Sequence, residues 1–173
     1  SNGNGAWTIV DNANNNAWVY VASNGAGTYF DGSATGANHP AGEFSTNIGL
    51  LDSETQDNGF MMFDCDYYNT PISEGYQDME GNLISPLIDF SDAGSVILNW
   101  QQYFRYCCFP YAPIYVDVTN DGGTTWTTFD AHGSFIESAN TASANPLPTS
   151  LDISCVAAYQ PEVQIRFTYT QEI

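Results

Sequence analysis

The chain has no lysine, and its only arginines are Arg105 and Arg166. Against them stand 20 acidic residues among 173, for a formal net charge of −18. The acidic content is ordinary; the imbalance comes from the missing cations. A nucleic-acid backbone is bound by clustered Lys or Arg that neutralise phosphates, so nucleic acid is excluded as a partner. Anionic membranes and acidic polymers are disfavoured for the same reason. Divalent cations and neutral, hydroxyl-rich ligands remain. The plainest role of the charge itself is solubility and mutual repulsion at a cell exterior.

Long apolar runs are also missing. None approaches the roughly 20 residues that a spanning helix requires, so membrane insertion is not expected. Ser1 to Gly5 carry neither the basic nor the apolar region of a signal peptide, and the expected form is an exported chain whose signal has been removed. Repeats of fixed period are absent, against a propeller or solenoid. There is no nucleophile elbow, zinc-protease helix or phosphate loop. His39 precedes a proline and His132 a glycine, which reads both as surface residues rather than general bases. Acids scattered over a surface pair by chance, so a glycosidase-like carboxylate pair carries little weight. The expectation is a protein that is not an enzyme.

Cysteines number four: Cys65, Cys107, Cys108 and Cys155. No two are spaced as C-x-x-C, and two histidines are a thin supply for a zinc site. The expectation is two disulfides in an oxidising compartment. Because a vicinal Cys107–Cys108 bridge is strained, each of these is expected to join a distant partner, with the pairing open. No Asn-x-Ser/Thr sequon occurs among many asparagines, which mildly favours a bacterial source.

What the chain does have is strand pattern. Apolar residues make up 43% and aromatics 14%, enough to build a core in a single domain over residues 1–173. Strand-like runs occur at Ala6–Val10, Ala17–Val21, Thr28–Phe30, Phe60–Tyr68, Asn82–Ile88, Val96–Tyr106, Ile114–Thr119, Thr125–Phe129 and Val163–Tyr169, with turn-forming clusters between them. Leu151–Tyr159 reads as a short helical turn or an irregular edge, and Ser134–Ser150 as an exposed loop. Many short strands with almost no helix predict an all-β fold, an antiparallel jelly-roll β-sandwich.

Three segments carry possible chemistry. Thr119 to Trp126 matches the Asp-box pattern, Ser/Thr-x-Asp-x-Gly-x-Thr-Trp. Its glycines permit positive φ at a hairpin, Asp121 can accept turn amides, and Trp126 packs beneath. This is a folding device. The second segment, Asp57 to Asn69, is dense in oxygen ligands. Strand alternation sets Asp64 and Asp66 on one face, a pair suited to calcium and equally to a solvated strand end. Asp31 and Asp11 are weaker candidates.

The third is a strand face. In Val96 to Tyr106, residues Val96, Leu98, Trp100, Phe104 and Tyr106 face the core, and Gln102 breaks the pattern. Asn99, Gln101, Tyr103 and Arg105 lie opposite. Tyr115 and Asp117 similarly oppose Ile114, Val116 and Val118, while Gln164, Arg166 and Thr168 oppose Val163, Ile165, Phe167 and Tyr169. Asp117 can pair with one of the arginines. If these strands are neighbours, Asn99, Gln101, Tyr103, Arg105, Tyr115, Asp117 and Arg166 form one ligand-binding surface of planar donors and acceptors beside tyrosine rings, suited to sugars. The alternative is a solvated sheet face with an ion pair of small energy.

The order of Gly59-Phe60-Met61-Met62-Phe63-Asp64-Cys65-Asp66, Leu83 to Ser91, Val96 to Tyr106, Val116 to Trp126 and Val163 to Phe167 resembles the MAM-like jelly roll of choice-of-anchor J and cleaved-adhesin domains of secreted Bacteroidetes proteins. It covers about residues 55 to 170; the first 50 fit only by their tryptophan strands. The resemblance implies a lectin-like sandwich on exported or surface-anchored proteins, often beside peptidase or adhesin modules. It also implies calcium in some members and no catalytic residues. By position, Asp57, Asp64 and Asp66 are the calcium ligands it implies. Family members continue past the Ile-Arg-Phe strand into a closing strand with Trp and a paired Asp, whereas this chain stops at Gln171-Glu172-Ile173. Either the sequence is cut short or another chain supplies that strand, and the second would leave an open edge for self-association. The expected function is extracellular adhesion or carbohydrate binding at a cell surface, with an assembly subunit as the alternative and a hydrolase accessory or catalytic domain behind both.

Overall fold

The computed structural model describes residues 6–13, 18–21, 51–63, 79–104, 114–133, 135 and 141–171. Among them, regular structure consists of nine strands and two short helices. The strands are β1 Thr8–Ala13, β2 Val19–Val21, β3 Phe60–Met62, β4 Met79–Ile84, β5 Ile97–Gln102, β6 Ile114–Thr119, β7 Thr127–Asp130, β8 Leu147–Asp152 and β9 Gln164–Gln171. A 3-10 turn spans Gln56–Asn58, and a single helical turn, α1, spans Ser154–Ala157. All strand pairings are antiparallel, and the fold is all-β.

The strands form a five-stranded sheet in the order β1-β4-β9-β6-β7 and two separate ladders, β2-β3 and β5-β8. Register decides which side chains share a face. Leu83 lies opposite Phe167, and Val116 opposite both Phe167 and Phe129. With Ile165 and Val118 they give the large sheet one apolar side. Side chains alternate across a strand, so Asn82, Asp117, Thr128, Arg166 and Thr168 occupy the other side.

Both small ladders cover the apolar side, which makes the fold sandwich-like. Trp100 of β5 meets Phe167 edge-on with centroids 5.6 Å apart, and Leu98 and Leu151 pack on the cluster around Val116, Val118, Ile153 and Ile165. Further along, Phe63 stacks 4.7 Å from Tyr169 and 5.6 Å from Trp18, centroid to centroid. Trp18 donates its indole N–H to the Gly81 carbonyl at 3.0 Å. Gly81 is required there: a Cβ would lie 2.2 Å from the Phe63 ring. The aromatic residues thus do what disulfides do in smaller domains, holding the layers together by area and edge contacts.

One expectation changes. Ser134–Ser150 was expected to be a loop, but Leu147–Asp152 is strand β8, with Leu147 and Thr149 buried and Pro148 and Ser150 exposed. Among the described residues β8 pairs on one side only, the setting in which a strand accommodates proline. The strand β9 lies between β4 and β6 in the large sheet.

Ile153 tests the core. It is fully buried between the β8 end and α1, and Ile153→Ala should lower unfolding free energy by about 2–5 kcal/mol. Urea denaturation followed by tryptophan fluorescence measures this, and a change well under 1 kcal/mol would be inconsistent with such packing.

Candidate functional site

The Asp-box segment folds as its residue types dictate. Gly122 and Gly123 take φ of +70° and +87°, a region that favours glycine. Asp121 Oδ1 accepts the amides of Thr124 (2.9 Å) and Thr125 (3.0 Å), and its Oδ2 accepts the Thr125 hydroxyl at 2.6 Å. Thr119 donates its hydroxyl to Asp121 Oδ1 at 2.7 Å. The Thr125 hydroxyl and amide, with Thr119, lower the Asp121 pKa to about 2. Trp126 closes the turn by donating its indole N–H to the Gly123 carbonyl at 3.1 Å. Every acceptor of the turn carboxylate is engaged internally, so the motif acts in folding.

Beside it, Asp117 and Arg166 pair as expected, but not on an open surface. Arg166 Nε donates to Asp117 Oδ2 at 3.0 Å, and only 5% of the aspartate side chain is exposed. Thr128 donates to Oδ1 at 2.6 Å. Thr168 Oγ1 lies 2.8 Å from Asp117 Oδ2 and 2.8 Å from Asn82 Oδ1. A hydroxyl has one proton, and it serves the charged acceptor; the Asn82 amide then completes the chain by turning its NH2 to Thr168. The Arg166 guanidinium sits 4.2 Å from the Trp126 ring centroid, a cation–π contact. Three donors and burial hold this carboxylate inside the sheet's own network. Asp117 is a structural residue, and Arg166 is its counter-ion.

The seven residues of the expected ligand surface are therefore divided. Tyr115, Asp117 and Arg166 belong to the outer side of the five-stranded sheet, whereas Asn99 and Gln101 lie on β5 in the opposite layer. Tyr103 follows β5 and is half-buried, and Arg105 lies outside the described residues. On the β5-β8 ladder, Asn99 faces Ser150 and Gln101 faces Pro148. Asn99, Pro148 and Ser150 are exposed. Gln101 Oε1 accepts the Glu54 amide at 3.3 Å, which docks the 51–58 segment beside this face. Gln102, expected to break the core pattern, points inward and donates to the Ala131 carbonyl and to Thr149 Oγ1 (2.9 Å).

Around the edge of β8 this face continues into a cleft of about 540 Å³, lined by Asp130, His132, Gly133, Phe135, Pro148, Thr149, Ser150 and Leu151. It opens where β7 and β8, the terminal strands of their sheets, part. His132, expected at the surface, is buried. Asp130 Oδ1 accepts its backbone N–H at 2.7 Å and lies 2.8 Å from its Nδ1. The misreading follows from β8, because without that strand nothing in the sequence covers His132. The cleft mixes hydroxyls, an exposed carboxylate and apolar walls.

Of the calcium candidates, Asp57 is exposed in the 3-10 turn, while Asp64 and Asp66 lie outside the described residues. Among the described residues no three His, Cys, Asp or Glu side chains gather as a metal site. Cys155 on α1 is exposed with a free thiol, and Cys65, Cys107 and Cys108 lie outside the described residues. Comparison with protein-family models, with curated proteins and with solved structures finds no match.

Two outcomes follow for the carboxylates. Asp117→Asn should destabilise the fold by about 1–3 kcal/mol, through the loss of a charge-assisted acceptor beside Arg166. Chemical denaturation would show this, and an unchanged midpoint would mean the network is dispensable. The Asp121 pKa is depressed in the folded state, so its stabilisation is full above the ordinary value of 3.8 and fades as pH falls toward 2. Asp121→Asn should therefore melt lower than the parent at neutral pH, with the gap narrowing through that acid window. A gap independent of pH would contradict this.

Proposed function

We propose that this chain is a non-catalytic extracellular adhesion or carbohydrate-binding module with jelly-roll topology, and that it binds through the β5-β8 face and the adjoining cleft. The observation that carries this reading is the contrast between the two outer surfaces. One is closed by the Asp117 network and Trp126. The other leaves Asn99 and Ser150 exposed beside a cleft with hydroxyl, carboxylate and apolar walls. Amides and hydroxyls match sugar hydroxyls in both directions of hydrogen bonding. The net charge of −18 favours neutral glycans over acidic ones. The ordered resemblance to secreted adhesin-type domains points the same way.

Calcium belongs to this proposal as an accessory ion, with Asp57, Asp64 and Asp66 as its ligands. A bound ion stabilises the folded state by mass action, so calcium should raise the melting temperature and EGTA should reverse the rise. Identical melts in both would remove calcium from the proposal.

The binding claim is tested with an array of neutral polysaccharides, comparing the parent with an Asn99→Ala/Ser150→Ala double variant. Loss of two exposed hydrogen-bonding groups should weaken binding by about tenfold or more. If no polysaccharide distinguishes the parent from the variant, this face is not the binding surface.

A further inference from the structure

At one end of the molecule two unusual placements interlock. Residues Ala157–Gln160 form a turn closed by the Gln160 N–H, which donates to the Ala157 carbonyl at 3.2 Å. Ala158 has φ −62° and ψ 133°, and Tyr159 follows with φ +59°. This is a type II turn, whose third position ordinarily holds glycine or asparagine. A tyrosine there is strained, and strain of this kind gathers where function requires a particular side chain. Burial does not offset it, because Tyr159 is 67% exposed.

The ring lies close over Gly94. A Cβ on Gly94 would lie 2.5 Å from the Tyr159 hydroxyl oxygen and 3.0 Å from Cζ, so only a residue without a side chain lets the ring lie there. The backbone beneath is clipped at several points. Tyr159 donates its N–H to the Ala93 carbonyl (2.9 Å), Ala93 to Phe90 (2.9 Å), and Phe90 to Gln160 (2.8 Å). An aromatic side chain thus projects from a hydrogen-bonded backbone frame, over Gly94, with most of its surface turned to water.

We propose that Tyr159 is a stacking platform for a neutral sugar ring, a contact point separate from the β5-β8 face; the assignment rests on the carbohydrate-binding reading above. The C–H side of a pyranose packs on an aromatic face while its hydroxyls find acceptors around the rim. Asp92 and Glu162, exposed and near in sequence to the two interlocked turns, supply carboxylates rather than cations. Arg166 is engaged by Asp117 and Trp126, so nothing described there would receive an acidic sugar. Caging an organic cation takes several rings, and among the described residues no second ring stacks on Tyr159.

The test uses the full chain and the variants Tyr159→Gly, Tyr159→Asn and Tyr159→Phe in affinity electrophoresis through soluble glucan, mannan, galactan and xylan. Glycine and asparagine both suit the turn, so those variants should melt no lower than the parent. Each should bind about tenfold more weakly or worse, as expected for loss of an anchoring aromatic, whereas Tyr159→Phe should retain binding. Parent-like retention of Tyr159→Gly and Tyr159→Asn overturns the platform alone, and the module reading then stands or falls with the Asn99→Ala/Ser150→Ala variant. Failure of the parent to bind any of the four polysaccharides overturns both. Loss of stability together with binding in all three variants would assign the ring to the fold and overturn the proposal. So would a melting rise with tetramethylammonium that depends on Tyr159 and has no polysaccharide counterpart.

Discussion

A carboxylate buried in the middle of a sheet is the constraint around which this structure is arranged. Asp117 lies on β6, between β7 and β9, and removing a charged group from water is costly unless partners replace the water. Here the partners come from both neighbouring strands: Thr128 from β7, and Arg166 and Thr168 from β9. The same groups that neutralise the carboxylate thereby tie three strands in register. One of the chain's two cations is spent on it, and the indole of Trp126 covers the guanidinium. That is why this part of the sheet's outer side serves architecture.

With so few cations, three of the described carboxylates are met by local donors instead. Asp89 is held below the usual carboxylate range by the hydroxyl and then the amide of Ser91, two residues on. Asp152 is lowered in the same way by Ser154, and Asp121 by Thr125 and Thr119. These are turn and cap interactions in which short polar side chains and backbone N–H groups replace ion pairs. Acidity here reports a choice of neutral donors, not a shortage of them.

Alternation made much of this legible. The side chains of β6 and β9 sort correctly into core and exterior from the sequence alone, which also anticipated the Asp117–arginine pair and the Asp121 turn. What alternation cannot provide is adjacency. It states that Asn99 and Gln101 point away from a core, but not that β5 belongs to a different layer from β6 and β9. The expected seven-residue surface divides for that reason. Leu147–Asp152 was hidden by Pro148 and by Thr149, a polar residue on the buried side, and the burial of His132 was hidden with it. Tyr159 gave no signal, because positive φ at a tyrosine is a property of the turn and not of the residue.

The locally satisfied carboxylates bear on how the molecule responds to brine. In a protein braced by surface ion pairs, added electrolyte weakens the braces. Here the turns are closed by uncharged donors, and the principal long-range electrostatic effect is repulsion among like charges, which dissolved ions screen over roughly 10 Å at 0.1 M. Salinity should therefore relax the electrostatic term that opposes compactness while leaving the turns intact.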